Sequence, residues 1–103
     1  MTEDLLQAIA ECRREKLPGA LATIVSTQGS TPCKAGTRML VLGDGSIRGT
    51  IGGGCAEAEV KLKALTVLDQ NQPCLAKVSL LAEDAANAGM VCGGTMEVFI
   101  QPI

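Results

Sequence analysis

The chain has 103 residues, a net charge of −2, 47% hydrophobic residues and a single aromatic, Phe99. That size makes one domain, residues 1–103, with an aliphatic core, and the absence of a basic surplus or stacking rings excludes nucleic acid as a partner. No apolar run reaches the roughly 18–20 residues that span a bilayer, and the acidic, amphipathic start does not read as a signal peptide, so no membrane partner is expected.

Residues 4–16 read as a first helix, with Leu5, Ile9 and Cys12 on one face, ended by Pro18-Gly19. Residues 20–27, ALATIVST, form an apolar run that fits a strand buried on both faces. A polar Gly, Ser and Pro loop over residues 28–36 follows. Residues 37–42 and 46–51 flank Gly43-Asp44-Gly45, a hairpin signal. A second helix is predicted over 55–70, with Glu57–Lys61 and Glu59–Lys63 at favourable spacing, and Asn71-Gln72-Pro73 breaks it. Its apolar residues make two stripes: Ala58, Leu62 and Leu65 on one side, Val60, Ala64 and Val67 opposite. A helix with one exposed face needs only one stripe. The stripe of Val60, Ala64 and Val67 is therefore expected to lie under another element or a partner chain, and a homo-oligomer (a homodimer) or a hetero-complex is the expected working form. Strands are predicted at 74–81 and 95–101, where Met96, Val98 and Ile100 alternate inward, with a short helical turn and loop over 82–91. The sum is an α+β domain: a mixed sheet of about five strands with two main helices packed against it.

The chain has five cysteines and no histidine. An odd cysteine count without a secretory leader implies reduced thiols and a cytoplasmic location. Without histidine there is no imidazole acid–base catalysis and no Cys–His dyad. CxxC spacing is also absent, which argues against a zinc ribbon. Cys12 and Cys74 fall in core patterns, and Cys33, between Pro32 and Lys34, is expected to be exposed.

Residues 49–57, GTIGGGCAE, concentrate the chemistry. Gly52-Gly53-Gly54 leads into Cys55 at a helix start, where free backbone N–H groups and the helix dipole favour anions and a thiolate. Neither the lysine of a P-loop nor a dinucleotide-binding GxGxxG is present. The same residues also read as a tight turn followed by a small apolar cysteine, and Glu57 as a first-turn charge. Cys92 with Gly93-Gly94 repeats the pattern of a thiol beside glycines.

Four segments, ALATIVSTQGS, GSTPCKAGTRML, GTIGGGCAEAEV and GMVCGGTMEVFI, in this order and spacing resemble the amino-terminal domain of the XdhC/CoxI family. The resemblance covers the chain from about residue 20 onward. It implies a molybdenum-cofactor-binding accessory protein that matures molybdenum hydroxylases such as xanthine dehydrogenase, with no catalytic residues of its own. The implied partners are the apo-hydroxylase and a cysteine desulfurase. The family's Rossmann-like second domain has no counterpart in these 103 residues, and the expectation is a stand-alone first half that works with a separately encoded second half or as a homodimer. The resemblance places cofactor binding on Gly52, Gly53, Gly54, Cys55, Glu57, Cys92, Gly93, Gly94, Ser30 and Pro32, with Cys55 as the metal ligand. Cys33 stands where the family usually carries arginine, so a bidentate anion grip is missing. Two other functions fit the same thiols: sulfur transfer or redox chemistry through Cys55 or Cys92, and a non-binding role in assembly or regulation.

Overall fold

The computed structural model describes residues 2–80 and 93–103, with the side chains of residues 2–4 and 55 outside that description. The helical turn expected over 82–91 and Cys92 lie outside the described residues. Along the chain come α1 (Thr2–Glu15), β1 (Gly19–Gln28), β2 (Arg38–Leu42), β3 (Ile47–Gly49), α2 (Gly54–Gln70), β4 (Cys74–Ser79) and β5 (Thr95–Pro102). The strands form one sheet in the order β3-β2-β1-β5-β4. The α+β class, the five strands and the two helices match the expectation. Within the sheet expected to be mixed, the four pairings observed are each antiparallel. Short turns and loops join β1, β2 and β3, and such connections return a strand antiparallel to its neighbour.

The hairpin forms where Gly43-Asp44-Gly45 predicts it. Gly45 takes φ +89, which suits glycine, and Asp44 Oδ1 accepts from the Ser46 backbone N–H at 2.9 Å and from its hydroxyl at 2.6 Å. α2 ends as Asn71 turns left-handed and its N–H bonds the Val67 carbonyl.

One face of the sheet carries the main core. Ala20, Ala22 and Ile24 of β1, Met39 and Val41 of β2, Ala76 and Val78 of β4, and Met96, Val98 and Ile100 of β5 meet Val60, Ala64 and Val67 of α2. The stripe expected to need a cover is therefore covered by the chain's own sheet. Leu62, on the other side of α2, is 68% exposed, and Ala58 is exposed beside it. Burying each valine of the stripe contributes up to about 1.5–3 kcal/mol. Leu21 and Leu40 are cross-strand partners of the opposite parity, buried outside the main cluster, and α1 lies against β2 and β3 and buries Cys12. The two helices thus serve opposite faces, and among the described residues no helix packs on the outer face of β1, β5 and β4 beyond α1.

β1 is not regular. Ile24 pairs with Val98 but Ser26 pairs with Glu97, which leaves Val25 as an extra residue, a β-bulge. The run expected to be buried on both faces is so only over residues 20–22; Val25 is 49% exposed.

Candidate functional site

The antiparallel order brings the end of β1, the start of β2, the end of β3, the end of β4 and the start of β5 to one end of the sheet. The loops that carry the sequence motifs meet there. Gly52 has φ +127, and a Cβ on it would overlap the ring of Pro32, so the proline loop rests directly on the glycine loop. Gly94 is held as closely, since a Cβ there would run into the carbonyl oxygens of Ser30 and, at 2.7 Å, Gln28. Gly29 faces Gly94 in turn, and the Leu80 N–H bonds the Gly94 carbonyl at 2.8 Å. Gly52 is thus held against the Pro32 ring and Gly94 against the Ser30 backbone by close contacts that only glycine permits.

The glycine loop has its own clamp. Thr50 donates its hydroxyl to Glu57 Oε2 at 2.6 Å, and the Gly53 N–H donates to the same oxygen at 3.1 Å. The Gly52 N–H donates to Thr50 Oγ1 at 3.1 Å. Gly53 is the N-cap of α2, so Glu57 reaches back as the acid of a capping box does. Expected from sequence to be a first-turn charge or a cofactor contact, Glu57 is engaged in holding the loop. Thr50 escapes the sequence reading because its partner lies seven residues on, outside any local capping signature.

Gly53 and Gly54 lie at φ +75 and +60, and a Cβ on either would meet none of the described residues within 4 Å. α2 has no side-chain cap. The N–H groups of Gly54, Cys55 and Ala56 lack intrahelical acceptors by the geometry of any helix start. Cys55 lies in the first turn of α2, with its side chain outside the description. For Gly93, at φ +77, a Cβ would meet none of the described residues within 4 Å.

Cys33, expected to be exposed, is half-buried and packs against the main core. The seat of Pro32 on Gly52 draws the loop over the sheet, and Thr31 steadies the turn by donating its hydroxyl to the Cys33 carbonyl at 2.9 Å. Cys12 is buried as expected, and Cys74 is half-buried against the core. Among the described residues no group of three or more Cys, Asp or Glu side chains is placed to hold a metal ion.

The description "XdhC and CoxI family" matches residues 12–79, more than half of the chain. The chain is 42% identical over 91 residues to "Uncharacterized protein YqeB" of Escherichia coli K12, covering 88% of this chain and 17% of that protein. It is 34% identical over 101 residues to a probable xanthine dehydrogenase subunit of Bacillus subtilis 168, covering 96% of this chain and 30% of that one. A crystal structure described as a xanthine dehydrogenase from Bacillus halodurans superposes with a TM-score of 0.80 at 33% identity, over 96% of this chain and 29% of that chain. The chain spans less than a third of the length of each of these relatives. With a family match over most of the elements and a shared fold, the chain belongs to the XdhC and CoxI family.

Proposed function

We propose that this domain binds molybdenum cofactor and hands it to an apo-hydroxylase of the xanthine dehydrogenase type, without turnover chemistry of its own. The observation that carries the reading is the meeting of the glycine loop, the proline loop and Gly94 beside the open start of α2. The names of two relatives support the class of client enzyme.

The residues present fit the cargo's chemistry. Its phosphate suits the N–H groups of Gly54, Cys55 and Ala56, and its metal–dithiolene centre suits the Cys55 thiolate as a soft ligand. Glu57 and Thr50 act by fixing the loop, and Pro32 by setting its position. A cysteine desulfurase supplies sulfur to the held cofactor, and a Rossmann-like domain or a second copy of this chain completes the working assembly.

Titration of wild type, Cys55→Ser and Cys92→Ser with molybdenum cofactor under reducing, anaerobic conditions tests this. Cys55→Ser should lose the most affinity, because it removes a ligand. Equal affinity of Cys55→Ser and wild type refutes the thiol's role, and failure of wild type to bind refutes the reading as a whole.

A further inference from the structure

On the outer face of the sheet, away from α2, a cavity of about 130 Å³ lies among β1, β5 and β4, lined by Ser26, Gln28, Lys77, Thr95 and Glu97. The five side chains are all polar, and the bulge in β1 is what assembles them. In a regular ladder Val25 would stand opposite Glu97, and Ser26 would turn into the apolar core. With Val25 inserted, Ser26 pairs with Glu97 and Gln28 with Thr95. Ser26 then donates its hydroxyl to Glu97 Oε1 at 2.7 Å. This orients the carboxylate, and among the described residues no other side chain donates to Oε2. Lys77 is the cross-strand partner of Glu97 on the β4 side.

The chemistry narrows the ligand. A carboxylate in the wall disfavours a free anion, and a single carboxylate beside a lysine is a poor cation site. A carboxylate oriented by a hydroxyl is suited to a pair of adjacent N–H donors, with the lysine, threonine and glutamine left to meet a carbonyl and ring nitrogens. The size agrees: an apolar cavity of roughly 150 Å³ takes one benzene ring, so this one takes a single six-membered ring and leaves the rest of a larger molecule outside.

We propose that this cavity binds the 2-amino-4-oxopyrimidine edge shared by pterins and guanine, with Glu97 accepting from its paired N–H groups. The inference rests on the proposed function and deepens it by naming where the pterin ring is read. Gln28 and Thr95 sit at the same end of the sheet as the motif loops, and the Gln28 carbonyl lies against Gly94.

The test is a fluorescence titration of the full chain with 2-amino-4-oxopteridine, with 2,4-dioxopteridine as the analogue lacking the amino group, and competition by guanosine monophosphate. The chain has no Trp or Tyr to interfere. The amino compound should bind at least about tenfold more tightly than the dioxo compound, and Glu97→Gln should weaken it about ten- to a hundredfold. Ser26→Ala should weaken it several-fold. Equal binding of the two pteridines by wild type overturns the inference even if a variant fails to fold, as does wild-type affinity in folded Glu97→Gln. Tighter binding of guanosine monophosphate supports the edge chemistry and assigns its source to a guanine nucleotide. If intact cofactor binds wild type and Glu97→Gln equally while the pteridine does not bind, this inference falls and the proposed function stands. If neither binds, both fall.

Discussion

Substituting Gly52 tests whether the proline loop really rests on the glycine loop. A methyl group there faces two costs: the backbone at φ +127, and the Pro32 ring, whose Cβ stands 3.1 Å from the new Cβ and whose Cγ it would overlap. Gly53, at φ +75 with none of the described residues within 4 Å, meets only the first cost. Gly53→Ala should therefore destabilise by about 1–2 kcal/mol. Gly52→Ala should add about 1–3 kcal/mol for displacing Pro32. Pro32→Ala removes the overlapped Cγ, so the double variant should recover at least about 1 kcal/mol relative to additivity. Urea unfolding followed by far-UV circular dichroism is the assay, since the chain lacks Trp and Tyr. A Gly52→Ala no less stable than Gly53→Ala, or strict additivity with Pro32→Ala, would refute the packing argument.

Other substitutions separate the remaining parts of the fold. Val60→Glu, at a position fully buried against the sheet, should cost about 3 kcal/mol or more, whereas Leu62→Glu, at 68% exposure, should stay within about 0.5 kcal/mol; equal effects in urea unfolding would contradict the assignment of the two stripes. Glu57→Ala should destabilise by about 1–2 kcal/mol and speed hydrogen exchange at the Gly53 amide, and an unchanged exchange rate would show that the clamp does not hold the loop. The Asp44 carboxyl lies below its ordinary pKa, first because of the Ser46 hydroxyl and then the Ser46 N–H. With the folded pKa depressed, its contribution to the hairpin is present above the unfolded value and is lost as pH falls through the folded one. Carboxyl titration by NMR should show the pKa rise in Ser46→Ala; no rise would exclude the hydroxyl as the cause.

Elements with strong local signals are legible in the sequence. The hairpin is marked by Gly43-Asp44-Gly45, and β5 by the alternation of Met96, Val98 and Ile100, so both stand within a residue or two of where the pattern puts them. α2 is equally plain as a helix, but its two apolar stripes are chemically alike, and only the sheet decides that Val60 goes in and Leu62 stays out. The bulge at Val25 leaves no mark, because an inserted residue in an apolar run changes neither composition nor local propensity. Its effect is felt one strand away, at Glu97. Cys33 misleads for a similar reason: the loop around it is polar, yet the contact of Pro32 with Gly52, twenty residues on, presses it onto the core. The motif glycines are legible as a group, while the carboxylate that clamps their loop becomes recognisable only with Thr50 in view.

The strand order has a consequence for how the chain reaches its native state. β5, the last element, lies between β1, the first strand, and β4. Until it arrives, β4 has no neighbour among the described strands and one side of β1 stands open, so the sheet beneath α2 is divided. Residues 12–79, the stretch by which the family is recognised, stop short of this strand. That stretch is a signature and not a folding unit. Closing the sheet requires joining segments more than seventy residues apart, as in the pairing of Ala22 with Ile100, which places the costly loop closure before its reward and favours slow, all-at-once folding. During synthesis, the domain therefore has to wait for β5 to emerge before it can fold.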